Sequence, residues 1–152
     1  MIDFKSLSSN QRFLLSVFVP SLYFFPLAVA YFSPKTFGFG YPRLVPIALA
    51  IGAAGCGIWI LGMFSLGKSL AVLPGGETLK TGGIYRYLRH PVYVGINLTL
   101  FGLLAACGSI FGMAYLAIVV IPLNRYRARE EEKALLEKFG DNYRAYREKT
   151  WF

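Results

Sequence analysis

Residues 44–66 read LVPIALAIGAAGCGIWILGMFSL, a continuous apolar run without a charged side chain. A helix that crosses a bilayer needs roughly 17 to 25 mostly apolar residues, and this run has that length. Its glycines at positions 52, 55, 57 and 62 would let a neighbouring helix approach closely, and they permit self-association of the chain. The run therefore predicts a transmembrane helix with a small-residue packing face.

Three further apolar runs extend the pattern, at residues 13–32, 88–106 and 109–123. Pro20 and Pro26 lie inside the first of them, where a membrane helix tolerates proline with a kink. Little more than Cys107 and Gly108 separates the last two runs, which predicts a tight helical hairpin. The polar, glycine-rich stretch of residues 67–89 predicts a long loop.

The chain changes character after Leu123. Residues 124–152 are highly charged and carry apolar side chains at near-helical spacing, at Leu135, Leu136, Phe139, Tyr143 and Tyr146. Gly140 followed by Asp141 predicts a helix stop and a new N-cap. We expect two short helices in this amphipathic tail, lying against the cytoplasmic face of a membrane bundle.

The composition excludes an ordinary soluble domain. Apolar residues make up 55% of the 152 residues, and the mean hydropathy is +0.48. A net charge of +8 suits either nucleic acid or an anionic membrane surface, and the apolar runs favour the membrane, so we expect no nucleic-acid partner. Cys56 and Cys107 lack the spacing of metal ligands, so we expect no metal site.

The basic residues predict the topology. With four spans, all but two of the 16 Lys and Arg residues, and all 8 acidic residues, fall on one side, which leaves Lys35 and Arg43 on the other. Since basic residues accumulate on the cytoplasmic side, both termini should be cytoplasmic. The sequence thus predicts an all-α integral membrane bundle of about four transmembrane helices with a cytoplasmic amphipathic tail, one domain over residues 1–152. A short chain of this kind is typical of a bacterial inner membrane.

The only histidine lies in the stretch GIYRYLRHPVYVG, residues 83–95. One interpretation is an aromatic belt with basic anchors at a membrane interface. The order of the residues suggests a second one, because His90 stands directly before Pro91, which suits the first turn of a helix. Backbone N–H groups at such a helix start can hold an anionic or polar ligand.

A second charged stretch, RYRAREEE at residues 125–132, directly follows the fourth apolar run. A solvated helix face with intrahelical ion pairs is one interpretation. Acids without partners are costly so close to a bilayer, however, and a zwitterionic ligand would satisfy both signs of charge. Both interpretations stay open on these residues alone.

Together, these two stretches and the later Leu135, Phe139-Gly140 and Tyr143 resemble the isoprenylcysteine carboxyl methyltransferase and phospholipid methyltransferase superfamily. The resemblance covers roughly the second half of the chain. It implies an integral membrane enzyme that transfers a methyl group from S-adenosylmethionine, bound between the loop and the tail, to a lipophilic acceptor. That acceptor would be an isoprenylcysteine-like carboxylate, a phospholipid amine or another small lipophilic nucleophile.

The resemblance also implies roles for individual residues. The cofactor positions fall on Thr78, Leu79, Lys80, Tyr85, His90, Pro91, Val92, Tyr93 and Glu131. The catalytic positions fall on Arg127, which would contact the substrate, on Glu130, which would support the site, and again on His90. By charge, Glu131 would pair with the ammonium group of the cofactor, and Arg127 would pair with an anionic acceptor.

Two other interpretations stay open. Membrane sterol reductases resemble the superfamily in the same region and bind a nicotinamide cofactor, although Val92 and the Glu130-Glu131 pair argue against that class here. A membrane scaffold without catalytic activity is the other interpretation. The intact His90, Arg127 and Glu131 argue against it, because a scaffold has no need of them.

Overall fold

The computed structural model describes residues 9–32, 34, 43–66 and 79–152, with side chains from residue 21 onward. The regular elements in these ranges are the helices α1 (Ser9–Phe32), α2 (Leu44–Leu66), α3 (Pro91–Cys107), α4 (Ile110–Tyr115), α5 (Ile121–Phe139) and α6 (Asp141–Glu148). A 3-10 turn, Gly83–Arg86, precedes α3, and a π turn, Leu116–Val120, joins α4 to α5. The all-α class predicted from the sequence is confirmed for the described residues.

Helices α2 and α3 pack so closely that their contact requires glycine. A Cβ built on Gly55 would lie 2.5 Å from the backbone nitrogen of Thr99, and Gly52 and Gly62 also face α3. Gly57, by contrast, has no such neighbour within 4 Å. The glycine face predicted for α2 therefore packs against α3 of the same chain, and self-association stays a prediction.

The third apolar run forms a shorter helix than predicted. Helix α3 begins at Pro91 rather than at Leu88, because the chain before it forms the 3-10 turn and Pro91 suits the first helical turn. It ends at Cys107, and the next residue, Gly108, has a left-handed φ of 67°. Ser109 then caps α4 by accepting a hydrogen bond from the Gly112 N–H at 3.0 Å. This turn lies where the sequence predicted a helical hairpin.

The fourth apolar run and the first helix of the tail form one continuous helical stretch, and where it leaves a membrane stays a prediction. Helix α4, the π turn and α5 follow one another without a break over residues 110–139, so the first tail helix continues the fourth apolar run. The π turn precedes Pro122, whose missing N–H would interrupt a regular α-helix, and strong helix formers follow it. Gly140 ends the helix as predicted, but Asp141 is the first residue of α6 rather than its N-cap.

One helix among the described residues is long and apolar enough to cross a bilayer by length and composition. This helix is α2, with a mean hydropathy of 2.2. Ser21–Phe32 and Pro91–Cys107 are shorter apolar helical segments. The four-span arrangement therefore stays a prediction.

The apolar core lies where α1, α3 and the π turn meet. Its buried members are Ala30, Leu100, Leu104, Leu116 and Val120. Because α5 continues directly from the π turn and runs antiparallel to α3, this packing brings the first half of α5 alongside the first half of α3. The two charged stretches of the sequence meet there.

Candidate functional site

His90 stands at the start of α3, between two consecutive glutamates of α5. Its Nδ1 lies 3.5 Å from Glu131 Oε2, and its Nε2 lies 3.3 Å from Glu132 Oε1. Only 6% of the residue is exposed. A buried ring in this position can donate a proton from each nitrogen to a separate carboxylate when the imidazolium forms.

The two carboxylates shift the titration of this cluster. Burial alone would lower the pKa of His90, but hydrogen bonds to Glu131 and Glu132 outweigh it and raise that pKa above the usual 6.5. The hydrogen bond from His90, together with the positive charges of His90 and Arg89, lowers the pKa of Glu132 to about 2. His90 therefore keeps its positive charge to a higher pH than an exposed histidine does.

Arg89 joins this ion pair to the last residues of the chain. Its Nε donates to Glu132 Oε1 at 3.0 Å, and its Nη1 donates to the carbonyls of Arg147 at 3.0 Å and Thr150 at 2.6 Å. The backbone N–H of His90 donates to the Phe152 carbonyl at 3.1 Å. The residues that follow α6 thus lie directly against the start of α3.

Tyr93 lies in the first turn of α3 and connects His90 to Arg127 of α5. Its hydroxyl donates to Glu131 Oε1, and its ring stacks on His90 with 5.8 Å between ring centroids. The guanidinium carbon of Arg127 lies 5.5 Å from the centre of the Tyr93 ring, within the range of a cation–π contact. One aromatic side chain therefore contacts both the acidic and the basic part of the site.

A chain of polar side chains leads from Arg127 into the helix bundle. Arg127 Nη1 donates to the Tyr23 hydroxyl at 3.3 Å, which donates to Asn124 Oδ1 at 2.6 Å. Asn124 Nδ2 donates in turn to Asn97 Oδ1 at 2.7 Å. Spacings of three and four residues place Asn124, Arg127 and Glu131 on one face of α5. This face carries the contacts that α5 makes with α1 and α3.

Tyr85 approaches the site from the 3-10 turn. It is buried, and its backbone carbonyl accepts a hydrogen bond from the Tyr146 hydroxyl of α6 at 2.7 Å. Burial, and then the negative charge of Glu131, raise its pKa above the usual 10.0. Tyr85 thus stays a neutral phenol beside the acidic part of the site.

The structure brings four predicted site residues into one contiguous cluster, made of His90, Tyr93, Arg127 and Glu131. Pro91 and Val92 form the first turn of α3 beside them, and both lie against Gly62 of α2. The loop and the tail, far apart in sequence, therefore meet where the resemblance implied a site between them.

Other predicted residues lie away from this cluster. Glu130 pairs with Lys133 at 2.6 Å, on a different side of α5 from the face that contacts His90. Lys80 is exposed and Leu79 is partly buried, and no contact among the described residues ties either of them to His90. Thr78 lies outside the described residues.

Several residues of the site were missed in the sequence, namely Tyr23, Arg89, Asn97, Asn124 and Glu132. The two asparagines carried a usable signal, since a polar amide inside or beside an apolar run needs a buried partner. Glu132 stood beside the predicted glutamates, and nothing in the sequence distinguished Tyr23 from the other tyrosines.

Known proteins with similar sequences match about half of this chain. The protein-S-isoprenylcysteine O-methyltransferase of Schizosaccharomyces pombe is 37% identical over 72 residues, which are 47% of this chain and 30% of that relative. The human protein of the same name is 38% identical over 75 residues, 49% of this chain and 26% of that relative. This chain therefore spans under a third of the length of these relatives. No solved structure matches.

A family model gives the broader match. It describes a phospholipid methyltransferase and covers residues 45–142, from the start of α2 to the start of α6. That span takes in well over half of the chain and includes the cluster around His90 and Glu131. The chain belongs to the phospholipid methyltransferase family.

Proposed function

We propose that this protein transfers a methyl group from S-adenosylmethionine to a lipophilic acceptor at the cytoplasmic face of a membrane. The observation that carries the proposal is the meeting of His90 and Tyr93, at the start of α3, with Arg127 and Glu131 of α5 in one partly buried cluster. The family to which the chain belongs, and the names of its relatives, supply the reaction class.

The membrane assignment rests on the outer surface of the helices as well as on the length of α2. Large apolar side chains stand exposed on α1 and α2 and in the π turn, among them Phe24, Phe32, Ile47, Phe64 and Ile118. Such a surface is unfavourable in water and suits lipid. We infer four spans, formed by α1, α2, α3 and the first part of the continuous helix over residues 110–139.

The side chains of the cluster fit a zwitterionic, positively charged cofactor. Glu131 is 30% exposed and offers a carboxylate for an ammonium group. The N-terminus of α3 and the charged His90 suit a carboxylate, and the faces of Tyr85 and Tyr93 suit a sulfonium. We infer that Thr78, Leu79, Lys80, Pro91 and Val92 complete this binding region. S-adenosylmethionine supplies an activated methyl group when bound.

The residues of the chain then have to align the reactants and exclude water, since methyl transfer is an in-line displacement. His90 and Glu131 pair with each other, so a zwitterionic ligand held by both side chains would replace this internal ion pair with pairs to its own charged groups. Arg127, between Tyr23 and Tyr93, suits an anionic acceptor such as a carboxylate. The apolar part of that acceptor enters between helices from the bilayer.

Calorimetric titration of S-adenosylmethionine into the detergent-purified protein tests the cofactor. Glu131→Gln is compared with Glu130→Gln, which makes the same substitution one residue away, where the partner is Lys133. We expect micromolar binding by the wild type and by Glu130→Gln, and binding roughly tenfold or more weaker in Glu131→Gln, because a charge-assisted hydrogen bond is lost. Absence of binding to the wild type, or binding of NADPH alone, would contradict the proposal.

The acceptor class needs a separate experiment. Purified protein in lipid vesicles is given methyl-labelled S-adenosylmethionine with either S-farnesylcysteine or phosphatidylethanolamine. The position of Arg127 favours label on the carboxylate of S-farnesylcysteine, and label on the phospholipid amine would instead point to an acceptor that does not need that arginine.

A further inference from the structure

We propose that Tyr23 of α1 is a positioning residue that holds the Arg127 guanidinium in place for the acceptor, and that the buried Asn124, paired with the partly buried Asn97, holds Tyr23. This inference rests on the proposed function, in which Arg127 contacts the acceptor. It assigns a role to α1, whose residues lie outside the part of the chain that the family model matches.

The direction of each hydrogen bond in this chain follows from the groups involved. A guanidinium can only donate hydrogen bonds, so the Tyr23 hydroxyl accepts a hydrogen bond from Arg127. The O–H of Tyr23 then donates a hydrogen bond to Asn124. Asn124 accepts the hydrogen bond from Tyr23 on its side-chain carbonyl oxygen, and its amide nitrogen donates a hydrogen bond to Asn97. The four side chains therefore favour one arrangement, in which each bond polarises the next.

Burial makes this arrangement costly to break. Asn124 is 0% exposed, so its carbonyl oxygen has no water to replace Tyr23 as a partner. Asn97 and Asn124 belong to α3 and α5, and Tyr23 belongs to α1, so the chain of hydrogen bonds links three helices. The Tyr23 hydroxyl is thereby held at a fixed point of the bundle.

Arg127 lies between this fixed point and the rest of the site. Its guanidinium contacts the Tyr23 hydroxyl through Nη1 and lies over the Tyr93 ring, which in turn donates to Glu131. Loss of the Tyr23 hydroxyl would remove the hydrogen bond to Arg127 and leave the contact between Arg127 and the Tyr93 ring in place. The guanidinium would then sample more orientations, and the site around Glu131 would be preserved.

Chemical modification of Arg127 tests this contact in the purified protein without any acceptor. The rate of phenylglyoxal addition is measured at each arginine by peptide mass spectrometry in the wild type, Tyr23→Phe and Tyr31→Phe. Tyr31 is the matched control, since it lies on the same helix and is 81% exposed. A second variant, Asn97→Ala, removes the last side chain in this series of hydrogen bonds, and Asn97 contacts Asn124 rather than Tyr23 or Arg127.

We expect Arg127 to react several-fold faster in Tyr23→Phe and faster in Asn97→Ala, with no change in Tyr31→Phe or at the exposed Arg129. Affinity for S-adenosylmethionine should stay at the wild-type value, while the KM for S-farnesylcysteine rises several-fold and kcat changes less. Equal Arg127 reactivity in Tyr23→Phe and Tyr31→Phe would overturn the positioning role. A wild-type protein that binds no S-adenosylmethionine would instead contradict the proposed function, which keeps the two failures distinguishable.

Discussion

At the scale of single residues, Arg89 is where the loop, α5 and the end of the chain meet. One guanidinium reaches a carboxylate through Nε and two backbone carbonyls through Nη1. A planar fork of donors can satisfy all three at fixed geometry, whereas a lysine ammonium brings one compact charge. Arg89 also helps to keep Glu132 ionised beside His90. The same side chain therefore both holds residues 147–150 in place and stabilises the charge of Glu132.

Replacing Arg89 by lysine keeps the charge and removes the fork. We expect Arg89→Lys to lose roughly 1.5–3 kcal/mol of stability, the usual contribution of a hydrogen bond to a charged group. Residues 147–152 should also become more sensitive to proteolysis. Arg86→Lys is the control, since Arg86 is exposed in the same loop. Thermal unfolding in detergent and limited proteolysis measure the two effects, and equal behaviour of the variants would contradict this role.

The ion pair of His90 predicts a window of highest stability. The lowered pKa of Glu132 contributes stability that is present above its unfolded value of 4.5 and is lost as the pH falls toward about 2. The raised pKa of His90 contributes stability that is complete below 6.5 and is lost as the pH rises through its folded value. Unfolding temperatures in detergent should therefore be highest between about pH 4.5 and 6.5 and fall on either side.

His90→Gln isolates the alkaline side of this window. His90 is the only histidine, so no other side chain of its kind titrates near neutral pH. We expect the unfolding temperature of the variant to stay nearly constant from pH 6 to 8, where that of the wild type declines. A parallel decline in both proteins would show that another group causes it.

The family resemblance predicted that the loop around His90 and the tail around Arg127 would meet, because it implied a cofactor bound between them, whereas the two charged stretches alone left this open. The sequence could not decide which of the glutamates at positions 130 to 132 face His90. Consecutive helical residues point about 100° apart, so the choice depends on the rotation of α5 about its axis. Packing and the π turn Leu116–Val120 set that rotation, and a purely apolar stretch gives no sign of a π turn in its sequence.

At the scale of helices, the contact between α2 and α3 gives a direct test of close packing. A methyl group on Gly55 would meet the Thr99 nitrogen at 2.5 Å and the Gly95 oxygen at 2.9 Å, both of which are backbone atoms that cannot move aside alone. We expect Gly55→Ala to destabilise the protein by about 1–3 kcal/mol, despite the better helix propensity of alanine. Unfolding by a denaturing detergent measures the change.

Gly57 provides the matched control on the same helix. A Cβ at Gly57 has open space around it, so Gly57→Ala should be neutral or should stabilise the helix by up to about 1 kcal/mol. Helical spacing could have separated these glycines, because positions 52, 55 and 62 fall on one side of a helix and position 57 does not. Equal losses of stability in Gly55→Ala and Gly57→Ala would show that the close-packed face of α2 extends around the helix.

At the scale of the whole molecule, one set of contacts constrains the topology. Arg89, directly before α3, bonds to the carbonyls of Arg147 and Thr150, so these residues must lie on the same side of any membrane. The chain between them must then cross an even number of times, which fits two crossings by α3 and the continuous helix over residues 110–139. The charge distribution agrees with this, because the basic residues of the loop and the tail predict that both lie on the cytoplasmic side.

Labelling of single cysteines tests this topology in intact cells. Cys56 and Cys107 are first replaced by alanine, and Arg43, Lys80 or Glu148, all exposed, is changed to cysteine in turn. We expect a membrane-impermeant maleimide to reach position 43 from outside and positions 80 and 148 only after the membrane is opened, because in the proposed topology α2 separates residue 43 from the loop, and the loop and the tail are both on the cytoplasmic side. Labelling of positions 80 and 148 from opposite sides would require an odd number of crossings between them. It would contradict both the four-span bundle and the contact of Arg89 with the end of the chain, and the site between the loop and the tail could not form.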